Sequence, residues 1–228
     1  MQVGWDIGSV GFLLPVTFIV IMFAILAAVL AKRSGSNGTS LFSPGRLVEI
    51  YVYTVLLVSI LLASAGIADL VRAGLARKMG LESSYRPTPV WDDNREKNAE
   101  PKYEMDQKAP RRDFISGSAE LGVGLLLGLS HLVGLRRIRQ GETLSASPVY
   151  RVFLVAGLVI YTTAVLIYAV GSIKDLLLYR YVGVPPMRSW YERPLPGDQI
   201  AGFMGFLPFW GFLVARVFRD GRSRTATT

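Results

Sequence analysis

Five apolar stretches dominate the sequence and constrain the fold more than any other feature. They span residues 11–31, 47–68, 114–135, 152–173 and 200–217. A helix needs about 20 predominantly apolar residues to cross a hydrocarbon core roughly 30 Å thick. Each stretch matches that length, so the pattern predicts an all-α polytopic membrane protein with five transmembrane helices.

Charged residues lie almost entirely between the apolar stretches. Hydrophobic residues make up 51% of the chain and charged residues 18%, and the net charge is +8. The basic residues cluster at the predicted helix ends and not on one soluble face. We therefore expect lipids and other integral membrane subunits as partners, and no nucleic acid.

The residue types also limit the chemistry. The sequence has no cysteine and one histidine, His131. This excludes disulfides, thiolate catalysis and cysteine metal sites, and a bis-histidine haem cannot be built within this chain. The sequence shows no Gly-rich phosphate loop, no acid pair at metal spacing and no nucleophile with a base. We expect no enzymatic activity and no metal site.

The distribution of Lys and Arg predicts the orientation. Residues 32–46 hold three basic residues and no acid, residues 136–151 hold four arginines and one acid, and the tail from 216 holds the same. Cytoplasmic loops carry the excess of Lys and Arg. The chain is therefore predicted to be N-out and C-in.

This topology divides the chain into two hairpins, two outer loops and a last helix. The first hairpin is 1–75, the extracytoplasmic Pro-rich loop is 76–113, and the second hairpin is 114–178. A second outer loop, 179–199, leads to the fifth helix and basic cytoplasmic tail, 200–228. Prolines disfavour regular structure in the outer loops.

A loop as long as 76–113 is usually functional, docked or disordered. We consider two interpretations for it: a solvated connector, or a strap lying across the outer face of a partner. Aromatic residues favour the strap, and they also suit the membrane interface. The candidate docking residues of the two outer loops are Tyr85, Trp91, Trp190 and Tyr191.

The second and fourth apolar stretches resemble each other. Arg46 and Arg151 share an offset of 105 residues with Gly66 and Gly171, and a Ser-Pro pair opens each stretch. Such pairs predict helix starts, with Ser capping and Pro in the first turn. We infer two parallel two-helix hairpin repeats plus a fifth helix; chance similarity between Leu-rich helices is the alternative.

The repeated segment also resembles a known family. Arg46-Leu47, then Tyr51-Val52-Tyr53 and a long aliphatic run closed by Gly66 and Asp69, is similar to an uncharacterised bacterial multi-helix membrane domain family of unknown function. The resemblance covers residues 43–183. It implies a bacterial source, hence the bacterial cytoplasmic (plasma) membrane, and a helical bundle with no catalytic residue. The Pro-rich outer loop departs from that family.

The third apolar stretch has one unusual face. At 100° per residue, five of its small and ionisable residues fall within a sector of about 80°. Small residues four positions apart let another backbone approach closely. This predicted interhelical packing face comprises Gly117, Glu120, Gly124, Gly128 and His131.

His131 has three possible roles on this face. It could be a hydrogen-bonded interhelical residue, the axial ligand of a haem or chlorophyll-type ring, or a proton relay with Glu120 about 16 Å away along the helix axis. We predict the structural role, and no cofactor.

Two further features concern the helix ends and the fifth helix. Asp69 with Arg72, and Lys174 with Asp175, are predicted to be interfacial ion pairs or caps. Pro208 predicts a kink in the fifth helix. The aromatic residues predicted to contact a partner or lipid tails are Phe203, Phe206, Phe209 and Trp210.

The leading hypothesis is a non-enzymatic accessory or scaffold subunit of a larger membrane complex, with an energy-transducing electron-transfer complex as one candidate host. A small transporter or channel is the first alternative, because parallel repeats also build carriers. Sparse polar residues in mid-membrane argue against it. A pigment- or haem-binding subunit acting through His131 is the second alternative.

The topology can be tested by labelling, because the chain has no native cysteine. Asn98→Cys should react from the extracytoplasmic side and Glu142→Cys from the cytoplasmic side, as the arginine asymmetry requires. The measurement is modification by a membrane-impermeant maleimide in intact and in opened cells. Labelling of both positions from one side would contradict the threading.

Overall fold

The structure, a computed structural model, describes residues 44–90, 102–138, 147–181 and 194–225. Four helices account for most of these residues: α1 Pro44–Met79, α2 Ala109–Ile138, α3 Pro148–Tyr181 and α4 Pro196–Thr225. A short 3₁₀ turn and two three-residue strands lie between α1 and α2: Leu81–Ser83, β1 Thr88–Val90 and β2 Lys102–Glu104. The predicted all-helical class is confirmed.

All four helices are long and apolar enough to cross a membrane. The candidate spans are Leu47–Met79, Ala109–Arg137, Pro148–Tyr181 and Pro196–Asp220. Each contains one of the apolar stretches recognised in the sequence. The remaining predicted helix, 11–31, lies outside the described residues.

The helices run further than the apolar stretches that predict them. α1 has 36 residues and is therefore about 54 Å long, whereas the hydrocarbon core is roughly 30 Å thick. Its last turn carries Arg77 and Lys78, which favour the negative end of the helix dipole. Hydropathy marks the apolar centre of a helix, and good helix formers extend it on either side.

The helix starts follow the predicted chemistry. Pro148 is the first residue of α3, and the Ser147 hydroxyl accepts hydrogen bonds from the N–H groups of Val149 and Tyr150 at 3.2 and 3.5 Å. The predicted Ser cap with Pro in the first turn is confirmed there. α1 likewise begins at Pro44.

Part of the predicted outer loop 76–113 is regular. α1 reaches Met79, and Gly80 then adopts φ +90°, a conformation that favours glycine. β1 and β2 pair antiparallel, with Pro89 opposite Tyr103. A proline is tolerated in a two-stranded ribbon because each strand has a free edge.

The chain divides into two compact units, and all four helices contribute to both. Among the described residues, unit 1 comprises 44–61, 123–138, 147–160 and 213–225. Unit 2 comprises 62–90, 102–122, 161–181 and 194–212. Each unit has its own buried side chains.

The core of unit 1 is aromatic and aliphatic. Tyr53 is buried, and its ring centroid lies 5.1 Å from that of Phe153 and 5.9 Å from that of Tyr150. Leu57 and Leu213 are also buried. Tilted aromatic pairs at these distances add to the dispersion energy of the packed helices.

A buried tyrosine organises unit 2. Tyr161 is fully buried, and its hydroxyl shares a 2.9 Å hydrogen bond with the Ser64 hydroxyl, which joins α1 to α3. Its ring lies 5.5 Å from Phe206 and 6.2 Å from Phe209, both on α4. A phenol in an apolar interior needs a hydrogen-bond partner, and Ser64 supplies it.

Glycines let the helix backbones of unit 2 approach closely. A Cβ on Gly117 would lie 2.7 Å from the Gly66 carbonyl oxygen, and a Cβ on Gly66 would lie 2.5 Å from the Leu121 nitrogen. α4 meets α1 in the same way, since a Cβ on Gly205 would lie 2.6 Å from the Ser64 carbonyl oxygen. Backbones in such contact gain dispersion energy that lipid cannot replace.

Gly117→Ala should destabilise the protein, because the added methyl group collides with backbone atoms of α1 that cannot move independently. Overpacking of this kind typically costs about 1–3 kcal/mol. The matched control is Gly122→Ala in the same helix, where a Cβ has open space and the higher helix propensity of Ala should be retained. The measurement is the melting temperature in detergent; equal values for the two variants would disprove the close contact.

Candidate functional site

One arginine joins three helices of unit 2. The Arg72 Nε of α1 donates to Asp113 Oδ2 of α2 at 2.7 Å, and Arg72 Nη1 donates to Asp198 Oδ1 of α4 at 3.0 Å. Arg72 Nη2 donates to Asp69 Oδ1, one turn earlier in α1, at 3.2 Å. The guanidinium therefore offers one nitrogen to each of three carboxylates.

These charges are partly buried and suitably placed on their helices. The Arg72 side chain is 29% exposed and that of Asp113 is 16% exposed. Asp198 lies in the first turn of α4, where the helix dipole favours a negative charge. Charge-assisted hydrogen bonds are stronger in such low-dielectric surroundings.

Tyr85 completes this group, which we call the Arg72 cluster: Arg72, Asp69, Asp113, Asp198 and Tyr85. The Tyr85 hydroxyl donates to Asp113 Oδ2 at 2.7 Å, and the Arg72 guanidinium carbon lies 5.5 Å from the centre of the Tyr85 ring. Burial, together with the accepting carboxylate, raises the pKa of Tyr85. The phenol therefore stays protonated at neutral pH and continues to donate.

The segment that carries Tyr85 packs against α4 within unit 2. Ser83 and Ser84 are buried, and the Ser83 hydroxyl donates to the Gly80 carbonyl at 2.8 Å. The Ser84 hydroxyl occupies the space that a side chain at Gly197 would need. The structure shows Tyr85 hydrogen-bonded within the chain, and its contact with a partner stays a prediction.

The acidic character of the cluster extends along α2. The Ser116 hydroxyl donates to Asp69 Oδ2 at 3.3 Å. Glu120 is half-buried and interacts electrostatically with Asp69, Asp113 and Arg72. One guanidinium thus balances more than one carboxylate, and its main effect is to hold the acidic helix ends together.

The predicted packing face of α2 turns its glycines toward α1. Gly117 and Gly124 are buried. Gly117 faces Gly66, and a Cβ on Gly128 would meet the Ser59 Cβ at 3.5 Å. Glu120 and His131, which share this face in the sequence, belong to different units and have different neighbours.

His131 makes its hydrogen bonds within unit 1. Its Nδ1 lies 2.9 Å from the Leu127 carbonyl oxygen, and its Nε2 lies 3.4 Å from the Tyr51 hydroxyl of α1. A carbonyl oxygen can only accept, so Nδ1 carries the proton and Nε2 accepts from Tyr51. The lone pair that would ligate a haem or chlorophyll-type ring is thereby engaged across two helices.

The aromatic residues of α4 contact α3 within unit 2. Phe206 stacks on Tyr168 with ring centroids 5.6 Å apart, and Trp210 Nε1 donates to Thr162 Oγ1 at 3.0 Å. α4 is continuous through Pro208. The four predicted contact residues, Phe203, Phe206, Phe209 and Trp210, are all partly exposed, and their contact with a partner or lipid stays a prediction.

The remaining predicted residues have various positions. Trp91, Trp190 and Tyr191 lie outside the described residues. Lys174 is exposed, while Asp175 Oδ2 accepts a hydrogen bond from the Leu195 N–H, just before α4, at 3.1 Å. The Asp175 side chain of α3 therefore binds the backbone at the start of α4.

Two residues of the Arg72 cluster were not recognised from the sequence. Asp69 and Arg72 are three positions apart, and residues at this spacing are neighbours on the surface of a helix, so the sequence predicts their pairing. Asp113 and Asp198 are 41 and 126 positions from Arg72. The available signal was an aspartate near the outer end of each predicted neighbouring helix, on the same side of the membrane as Arg72.

Comparisons with known proteins give no further guide. No protein-family model, no curated protein and no solved structure matches this chain. The resemblance of residues 43–183 to a membrane domain family stays a prediction.

Asp113→Asn should loosen the docked segment, because Asp113 accepts hydrogen bonds from both Arg72 and Tyr85. Weakening hydrogen bonds to a charged group typically costs about 1.5–3 kcal/mol. Asp106→Asn is the control, since its pair with Arg112 is more exposed and worth less. The measurement is the rate of amide hydrogen exchange at residues 81–86; an equal rate in both variants would show that Asp113 does not fasten the segment.

Proposed function

We propose that this protein is a non-enzymatic integral membrane accessory subunit that packs against other membrane subunits through α2. The outward surface of α2 carries the proposal. Only 11% of the most apolar 18-residue segment of α2 is buried, whereas the corresponding shares are 39% in α1 and 33% in α3. The Leu126 side chain is 71% exposed and those of Ile115 and Leu129 are both 60% exposed.

Small residues among these large ones favour a protein neighbour over lipid alone. Ser118, Ala119 and Gly122 are all exposed on α2, and a Cβ on Gly122 would meet no atom within 4 Å. Contact with lipid tails does not require small residues, whereas close contact with another helix does. We infer that a helix of another subunit lies there.

The polar residues of the helices support a structural role over transport. Several of their hydroxyl groups bond to the carbonyl one turn earlier in the same helix, and others bond between helices. These pairs are Thr54–Ile50, Ser59–Val55, Ser172–Tyr168, Ser64–Tyr161 and Trp210–Thr162. A transport path needs polar groups that face a substrate, whereas these groups are hydrogen-bonded to their own backbone or to a neighbouring helix.

Within this proposal the chain has five transmembrane helices, arranged as two parallel two-helix hairpins plus a last helix. The two glycines that define the repeat support this arrangement. Gly66 packs against α2, and Gly171 packs against Gln199 of α4. Each glycine thus meets the next helix in the chain, as expected of equivalent positions in a repeat.

The charges support an N-out, C-in orientation in a bacterial cytoplasmic membrane. Among the described side chains, unit 1 has five basic and two acidic residues: Arg136, Arg137, Arg151, Arg216 and Arg219, against Glu49 and Asp220. Unit 2 has nine basic and eight acidic residues: Arg72, Arg77, Lys78, Arg86, Lys108, Arg111, Arg112, Lys174 and Arg180, against Asp69, Glu82, Glu104, Asp106, Asp113, Glu120, Asp175 and Asp198. The excess of arginine favours the cytoplasmic side for unit 1.

The role can be tested by purification from native membranes in a mild detergent. We expect an integral membrane partner in fixed stoichiometry, with the host complex identified by mass spectrometry. Gly122→Leu should abolish the association without loss of fold, because the leucine enters open space on this chain and blocks a second helix. Gly74→Leu is the control, since it enters open space on α1.

Three results would contradict the proposal: a chain that purifies alone, equal association of both variants, or a visible absorption band from a bound pigment or haem. The last result would favour the cofactor hypothesis. In that case the band should disappear in His131→Gln.

A further inference from the structure

Arginines gather at the helix ends of unit 1. Arg136 and Arg137 close α2, Arg151 lies in the first turn of α3, and Arg216 and Arg219 lie near the end of α4. All five belong to unit 1. Each of these except Arg216, which is half-buried, has an exposed side chain. We call these five residues the arginine surface.

The arginine surface lies at the depth of lipid headgroups. The candidate spans of α2 and α4 end at Arg137 and Asp220, and that of α3 starts at Pro148. The α2 span has 29 residues and is therefore about 44 Å long. A bilayer that includes its headgroup layers is about 40–45 Å thick, so the terminal residues of the span fall among the phosphates.

The neighbouring acids leave a positive excess. The described side chains of unit 1 include two acids, Glu49 and Asp220, against the five arginines. Glu49 accepts a hydrogen bond from the Ser147 hydroxyl at the start of α3. Asp220 lies close to Arg216, whose Nε donates to the Tyr150 hydroxyl at 2.9 Å. This bond engages the Arg216 Nε and holds one arginine of the surface in place.

We propose that the arginine surface binds the phosphate groups of anionic phospholipids. A guanidinium matches the geometry of a phosphate, and it remains charged at any physiological pH. Zwitterionic lipids carry the same phosphate together with a cation, so the excess of arginine favours lipids with a net negative charge. The inference requires that the helices cross a membrane, and it does not depend on the accessory role.

The experiment uses the purified full chain in dodecyl maltoside micelles. Dioleoyl-phosphatidylglycerol, dioleoyl-phosphatidylcholine or inorganic phosphate is added, and native mass spectrometry counts the bound molecules. We expect phosphatidylglycerol to bind best, with affinity that falls as salt rises. A basic residue near the surface contributes about 1 kcal/mol, so Arg136→Gln/Arg137→Gln/Arg219→Gln should lower the affinity about fivefold for each arginine removed.

Two variants distinguish a specific surface from general attraction. Arg77→Gln/Lys174→Gln/Arg180→Gln removes the same charge from exposed positions of unit 2, and it should retain the lipid preference. Arg136→Lys/Arg137→Lys/Arg219→Lys keeps the charge and should retain most of the binding. Circular dichroism and gel filtration establish that each variant is folded.

The proposal is overturned if both glutamine variants lose affinity equally, because the attraction would then be non-specific. Equal binding of phosphatidylcholine also overturns it. Inorganic phosphate that displaces the lipid at millimolar concentration would identify a site for free phosphate instead. Loss of phosphatidylglycerol in the unit 1 variant alone supports the proposal.

Discussion

The division of one guanidinium among three helices is the interaction on which unit 2 depends. Arg72 pairs with both Asp113 and Asp198, which lie in the N-terminal parts of α2 and α4. These two ion pairs therefore link the N-terminal parts of α2 and α4 to α1. Tyr85 adds a neutral donor to the same carboxylate and so brings the connecting segment under the same control.

Elsewhere in unit 2, close contacts between small residues hold the helices together in place of ion pairs. Lipid tails are as apolar as leucine, so helices in a membrane gain little from burying leucine against leucine. The reciprocal contact of Gly66 and Gly117 and the buried bond between Ser64 and Tyr161 supply what hydrophobic burial cannot. Both depend on small residues of α1. In agreement with this, the apolar segment of α1 is buried to a greater extent than those of the other three described helices.

The sequence predicted the features that neighbouring residues determine. It did not predict the contacts between residues that are far apart in the chain. Apolar length located the four helices, and the Ser147-Pro148 pair marked the start of α3, because both signals lie within a few residues. The C-terminal ends of the helices lie further along the chain than the apolar stretches predict, because hydropathy does not report helix propensity outside the lipid. Asp113 and Asp198 escaped notice because nothing local marks an aspartate as the partner of an arginine 41 or 126 residues away.

The span between Arg72 and Asp198 has a consequence for biogenesis. α1 leaves the ribosome long before α4, so Arg72 enters the membrane with Asp69 as its nearest counter-charge. Its third carboxylate arrives 126 residues later, and long-range closure of this kind is the slow part of folding. An incomplete chain therefore carries Arg72 with a guanidinium nitrogen that has not yet met its carboxylate on α4.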